Sequence, residues 1–260
     1  MVNVVCIRES DYQNFFVNEL YFNGIISHVI IENGFSFRLK RKISKYTFLN
    51  FLKLLTSPKK LFQKIYFALN FKNYFGYIEK HNKEYLGKPS IKIEKNISVT
   101  RFESLNDKKC LCFIDNLKPK NIFVYGTGMI KKEFLNLINS NIYNLHWGIA
   151  PKYRGAGLIP CIVNKDFKNL GVTFHKINAK SDAGDIYKTK NIEINKFDNF
   201  YSIHLKLTLK GIEIIKDFYK DKNPNFTKQN LENGKLYKSS YFKDNYKVFI
   251  DAFNNIKLIK

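Results

Sequence analysis

Residues 2–6, apolar except for Asn3, read as a buried strand. Residues 10–21 carry apolar positions at helical spacing, and 24–31 give a second apolar run closed by the turn signal Asn33-Gly34. This is a strand–helix–strand opening. From residue 33 to 78 the pattern changes: no acidic residue occurs, while Arg38, Lys40, Arg41, Lys42, Lys45 and Lys53 and the lysines that follow interleave with Phe, Leu and Tyr. Basic amphipathic helices fit that stretch, broken near Ser57-Pro58. After Gly87-Lys88-Pro89 the first pattern resumes. It predicts a short strand at 91–93, a helix at 106–117, a strand within 119–125, a helix from near Lys131, strands at 171–177 and 186–194, and a helix at 199–219. Alternating elements of this kind predict an α/β fold, an open and mostly parallel twisted sheet flanked by helices. A basic helical insertion at 33–86 interrupts the domain of residues 1–195, and 196–260 form a C-terminal helix and short tail.

A chain of 260 residues, 45% hydrophobic and 16% aromatic, can bury a substantial core, which excludes disorder. No uncharged apolar stretch approaches the roughly 18 residues of a membrane span, and residues 1–6 lack the features of a secretory signal. A soluble, cytoplasmic protein is expected. Cys6, Cys110, Cys112 and Cys161 match neither a disulfide framework nor a zinc cluster, and Cys110 and Cys112 read as alternate buried positions, so no metal is expected. The charge is +22, from 44 basic and 22 acidic side chains, and suggests an anionic partner. Wealth in Lys, Asn, Ile, Phe and Tyr offers the competing explanation of compositional bias. For the basic segment three readings stand: a helical cap with solvated lysines, a peripheral membrane contact through 35–77 at the inner membrane face, and, ranked last, nucleic acid.

Residues 121–125 lead from a buried strand into Gly126-Thr127-Gly128. A dinucleotide turn would need a third glycine where Lys131 stands and an acidic residue placed for a ribose, and both are missing. The glycines still expose backbone at the carboxyl end of a strand, where open α/β sheets bind ligands.

The most informative stretch is 141–155. Asn144 and His146 lie two apart at the end of an apolar strand, so they project to one face while Leu145 points into the core. Gly148, Pro151 and Gly155 then force an irregular loop that places Trp147, Tyr153 and Arg154 around that pair. Residues 171–177 alternate as a strand in which His175 faces either the core or the site. Asp182, in the turn Ser181-Asp182-Ala183-Gly184-Asp185, is the third partner, and Asp185 holds that turn.

Four ordered elements resemble the formyltransferases that use 10-formyltetrahydrofolate. They are Asn144-x-His146, the Pro151-x-Tyr153-Arg154-Gly155 loop, Gly171-Val172-Thr173-x-His175, and Asp182-x-Gly184. The resemblance spans roughly 119–194 and implies a Rossmann-like catalytic domain with 10-formyltetrahydrofolate as formyl donor. It implies that backbone near Gly128, Met129 and Ile130 cradles the pterin while the Ser181–Asp182 loop closes its other side. Asn144 and His146 would stabilise the oxyanion of a tetrahedral intermediate, with Asp182 orienting the imidazole. Trp147, Tyr153 and Arg154 would meet the acceptor, although Trp147 can equally pack and Arg154 can instead shape the loop by bonding carbonyls.

Formylation of initiator tRNA in this family ordinarily takes an additional C-terminal barrel, and 195–260 is too short for one. The tail resembles that of formyltransferases of surface-polysaccharide pathways such as lipopolysaccharide or capsule assembly. The expected acceptor is therefore a nucleotide-linked amino sugar. Initiator methionyl-tRNA, glycinamide ribonucleotide and a non-catalytic folate- or sugar-binding role are the alternatives. Exposed aromatic residues hint at a homodimer.

Overall fold

The computed structural model of the protein describes residues 2–33, 83–88, 90–195 and 197–238. Nearly all of the basic segment, including the expected membrane contact at 35–77, and the end of the C-terminal tail lie outside the described residues. The elements in chain order are β1 (Asn3–Ile7), α1 (Asp11–Phe22), β2 (His28–Glu32), β3 (Ser98–Phe102), α2 (Lys108–Leu117), β4 (Asn121–Tyr125) and α3 (Lys132–Leu137). They continue with β5 (Asn141–Trp147), β6 (Tyr153–Gly155), α4 (Leu158–Val163), β7 (Gly171–Lys176), β8 (Ile186–Asn191), α5 (Phe200–Lys220) and β9 (Lys235–Tyr237). Among the described residues, seven strands form one sheet in the order β3-β2-β1-β4-β5-β7-β8. β3 through β5 run parallel, and β7 and β8 are antiparallel additions. This is the Rossmann-like, mostly parallel α/β sheet that the alternation of elements predicts.

Both faces of β1, β2, β4 and β5 are covered, so most of their residues are buried, whereas β3 is largely exposed. Val5, Ile7, Phe123, Tyr125, Tyr143 and Leu145 join the core under α1 and α5, whereas Val4, Cys6, Ile122, Val124 and Ile142 join the core under α2 and α3. Local chemistry sets the helix starts. The Ser10 hydroxyl accepts from the Gln13 N–H at the head of α1, and Asn199 and Ser202 form a reciprocal capping box at the head of α5. No helix among the described residues is long and apolar enough to cross a membrane.

Three local expectations need correction. The second strand begins at His28, not residue 24, because Gly24 takes a left-handed φ of 67° and the chain turns there. Residues 91–93 are not a strand. Their backbone is satisfied by α1 instead: Asn14 and Asn18 donate to the Ile91 and Lys92 carbonyls, and the Ile91 N–H donates to Asp11. The strand of this region is β3. Cys110 is buried but Cys112 is exposed, since two residues on a helix turn about 200° and cannot share one face.

Phe174 of β7 is fully buried among the rings of Phe123, Tyr143, Tyr187 and Phe218. Phe174→Ala should cost about 3–5 kcal/mol. Urea unfolding of both proteins measures it, as a lowered midpoint at unchanged slope.

Candidate active site

Parallel register brings the carboxyl ends of the central strands to one edge. Ile7 pairs with Ile31 and Tyr125, and Tyr125 with Leu145, so the loop after β4 leaves the sheet level with the residue before His146. Across the antiparallel pair, His175 lies opposite Asn144 and Thr173 opposite His146. Strand alternation sends these four polar side chains to the face opposite Leu145, Val172 and Phe174, all of which are in the core under α1 and α5.

Three of them, Asn144, His146 and His175, gather around Asp182. Its backbone takes a left-handed φ of 46°, a conformation that Asp tolerates better than most residues and that marks the turn. Asp182 Oδ1 accepts from Asn144 Nδ2 at 3.0 Å, and Oδ2 accepts from the Gly155 N–H at 2.8 Å. His146 Nδ1 is 3.5 Å from Oδ2, and His175 Nε2 is 3.5 Å from Oδ1. Burial opposes ionisation of Asp182, but the charge of a protonated His146 and the Gly155 N–H outweigh it. The carboxyl is held well below the usual carboxylate range.

Hydrogen-bond bookkeeping assigns the ring nitrogens. His146 Nε2 lies 2.7 Å from the Tyr153 carbonyl, which only accepts, so Nε2 carries a hydrogen and Nδ1 is the nitrogen free to take or release a proton. Its separation from Asp182 is long for a hydrogen bond. A proton on Nδ1 is therefore steered by the carboxylate without being locked to it. His175 Nδ1 lies 2.7 Å from the Lys176 carbonyl and so donates, which leaves Nε2 to accept from Asn144 Nδ2 at 3.2 Å. Both amide hydrogens of Asn144 are thus engaged, by Asp182 and His175. What Asn144 holds in reserve is its Oδ1.

The loop between β5 and α4 is tied down at several points. The Thr173 hydroxyl donates to the Gly148 carbonyl and accepts from the Ala150 N–H. The Tyr153 hydroxyl donates to Asp166, and Lys152 pairs with the same carboxylate oxygen at 2.7 Å. Burial and Asp166 push the Tyr153 hydroxyl up to about 12. Burial opposes ionisation of Asp166, yet its bonds to Lys152, Asn169 and Tyr153 bring it down to about 2.

The other expected contacts are placed as follows. Tyr153 is buried, its ring stacked on Tyr237, so it offers the site its carbonyl and not its ring. Arg154 Nη1 reaches the Ser181 carbonyl at 3.5 Å and so bridges the two loops. The Ser181 hydroxyl donates to Asp182 Oδ2 at 3.4 Å. Trp147 packs on Tyr125 and His204, with centroids 5.5 and 4.6 Å away, and its Nε1 is buried without a hydrogen bond. His204, which carries no signal in the sequence, thus packs on Trp147 on the α5 side of the sheet.

In the loop after β4 the Gly128 N–H donates to Glu32 at 2.6 Å, and Glu32 also pairs with Arg8. The Met129 carbonyl accepts from Asn106. The Met129 N–H and both backbone groups of Ile130 have no hydrogen bond among the described residues. Free donors and an acceptor at the carboxyl end of β4, beside an exposed Met129 side chain, suit a planar amide-bearing heterocycle. The roles of Thr173, the Tyr153 carbonyl and Glu32 were not legible in the sequence. Only Thr173 had a usable signal, its two-residue spacing from His175.

A family model described as formyl transferase matches residues 51–215. The chain belongs to that family. A methionyl-tRNA formyltransferase of Pseudothermotoga lettingae is 38% identical over 121 residues, covering 46% of this chain and 39% of the relative. The chain thus spans well under half of that relative's length. Among solved structures, a sugar N-formyltransferase from Shewanella sp FDAARGOS_354 superposes with a TM-score of 0.59 at 17% identity, covering 98% of this chain and 88% of its own. A formyltransferase from Anoxybacillus kamchatkensis, determined with UDP-4,6-dideoxy-4-formamido-L-AltNAc and tetrahydrofolate, gives 0.51 at 20% identity over 62% of this chain and 86% of its own.

Because folding depresses the Asp182 carboxyl, its contribution to stability is present above the unfolded carboxylate range of about 3.9 and is lost as the pH falls below it. Asp182→Asn should lower stability at pH 7 by on the order of 3 kcal/mol. It should also flatten the loss of stability between about pH 4 and pH 2, a difference read from urea midpoints of both proteins across that range.

Proposed function

We propose that the protein transfers the formyl group of 10-formyltetrahydrofolate to the primary amine of a nucleotide-linked amino sugar. The observation that carries this reading is the meeting of Asn144, His146 and Asp182 at the carboxyl edge of the sheet, level with the β4 loop. The bond formed joins the acceptor nitrogen to the formyl carbon, and the bond broken joins that carbon to N10 of the folate. One proton leaves the amine and one reaches N10. Negative charge that develops on the formyl oxygen needs a donor, and His146 supplies Nδ1–H, steered by Asp182. As the charge collapses, the same nitrogen can return a proton towards N10. Asn144 shares the hydrogen it gives His175, and its Oδ1 accepts from the attacking amine to aim the nitrogen lone pair. The unpaired groups of Met129 and Ile130 would hold the pterin, with Ser181 and Asp182 on its other side.

The choice of acceptor is supported by likeness of fold to a sugar N-formyltransferase along 98% of the chain. The relatives named methionyl-tRNA formyltransferase favour a second reading, formylation of charged initiator tRNA, but they match over only 106 to 155 residues, 34 to 50% of their own length.

Incubation with 10-formyltetrahydrofolate and a panel of nucleotide-linked amino sugars should release tetrahydrofolate. Turnover on charged initiator tRNA or glycinamide ribonucleotide alone would overturn the sugar assignment. His146→Ala and Asn144→Ala should each lose about 10²- to 10³-fold in turnover, the usual cost of one oxyanion contact. Near-native rates in either variant would remove the mechanism.

A further inference from the structure

Two backbone groups of the β5–α4 loop act directly on the catalytic side chains: the Tyr153 carbonyl fixes the hydrogen on His146 Nε2, and the Gly155 N–H holds Asp182. Both belong to β6, a strand of three residues that stands apart from the main sheet. Its partner comes from the far end of the described chain. β9 pairs with it in parallel, Tyr153 with Lys235, Arg154 with Leu236, and Gly155 with Tyr237. The Lys235 N–H donates to the Lys152 carbonyl at 3.2 Å, and the Ala156 N–H donates to the Tyr237 carbonyl at 2.9 Å. The Tyr237 ring lies 5.7 Å from Tyr153 with planes 14° apart, and Asn164 donates to its hydroxyl at 3.4 Å.

The approach is tight on both strands. Gly155 holds a left-handed φ of 78°, and a Cβ there would run into the Tyr237 carbonyl, while one at Gly234 would run into the Pro151 carbonyl. A three-residue strand with no sheet of its own has few bonds to hold its register, and β9 supplies them.

We propose that β9 is a positioning element of the active centre, and that Tyr237 is a positioning residue acting through Tyr153 on the tautomer of His146. This rests on the reading of the centre as the site of formyl transfer. With β9 detached, the Tyr153 carbonyl is free to move away from Nε2, and His146 loses the bond that reserves Nδ1 for the reacting atoms. The residue that sets the proton position would then lie some 90 positions after the histidine in the chain, in a stretch that composition marks as a peripheral tail.

The test uses the full chain with three substitutions. Lys235→Pro removes the N–H given to Lys152, Tyr237→Ala removes the stacked ring, and Tyr237→Phe keeps the ring but not the hydroxyl. Nitrogen-15 spectra of the imidazoles report the His146 tautomer, and steady-state kinetics with 10-formyltetrahydrofolate report function. Lys235→Pro and Tyr237→Ala should lose the Nε2–H signature. Their kcat should fall about 10²-fold, as for a small displacement of reacting groups, with KM for the formyl donor within about threefold. Tyr237→Phe should restore kcat to within a few-fold of the parent. A His146 spectrum unchanged in Tyr237→Ala, whatever happens to kcat, overturns the proposal, as does full turnover in Lys235→Pro. Should Lys235→Pro fail to fold by circular dichroism, Tyr237→Ala, which leaves the backbone bonds intact, decides alone. If the parent protein formylates none of the acceptors, the functional reading fails, and the tautomer spectra still decide the role of β9.

Discussion

A single buried carboxylate organises the centre of this protein. Asp182 accepts from Asn144 and from the Gly155 backbone and faces two imidazoles, so β5, β6, β7 and the turn that carries Asp182 meet on two oxygens. Charge in a poorly solvated place is costly unless every lone pair has a partner, and this demand couples the segments. The left-handed turn at Asp182, the loop that supplies Gly155 and the antiparallel pairing of β7 with β5 are each required for that satisfaction. Holding the carboxylate ionised also steers a proton on His146 Nδ1, so stability and the proposed chemistry draw on the same contacts.

The sheet explains why the polar cluster gathers at this edge. Parallel strands place all their carboxyl ends together, and the switch to antiparallel at β7 lets a polar strand return beside β5 without another crossover helix. Asn144 and His146 fall on the face of β5 that the helix-covered core leaves behind after Ile142, while Leu145 stays packed on the other side against α5. The polar cluster therefore sits on a rigid floor of apolar residues. Loops add precision: Thr173, Asp166 and Arg154 tie the β5–α4 loop to β7, to the segment after α4 and to the Asp182 turn.

Much of the site is legible from residue spacing. Two-residue separation in a strand puts Asn144 and His146 on one face, and the small and acidic residues around 181–185 mark a tight turn whose carboxylate has few other uses. The roles of the flanking residues were harder to read, because residue type is silent about which atom of a residue is presented. Tyr153 reads as an aromatic contact for a substrate, yet its ring is buried on Tyr237 and its carbonyl is the group that matters. Trp147 reads equally as an acceptor contact or as packing, and its ring lies against Tyr125 and His204. Residues 91–93 have strand composition, but polar side chains of α1 took their backbone bonds before a neighbouring strand could.

By itself the sequence determined the order of elements, the α/β class and the projection of Asn144 and His146 to one strand face, because apolar periodicity and short-range spacing are local properties; Asp182 joined that pair only through the ordered motifs that resemble the formyltransferases. Only the tertiary structure decided which nitrogen of His146 carries the hydrogen, where the amide hydrogens of Asn144 go, and that a strand at residues 235–237 braces the loop at 153–155. Those outcomes depend on contacts between groups many residues apart, and on competition for a limited number of donors and acceptors. No window along the chain contains that information.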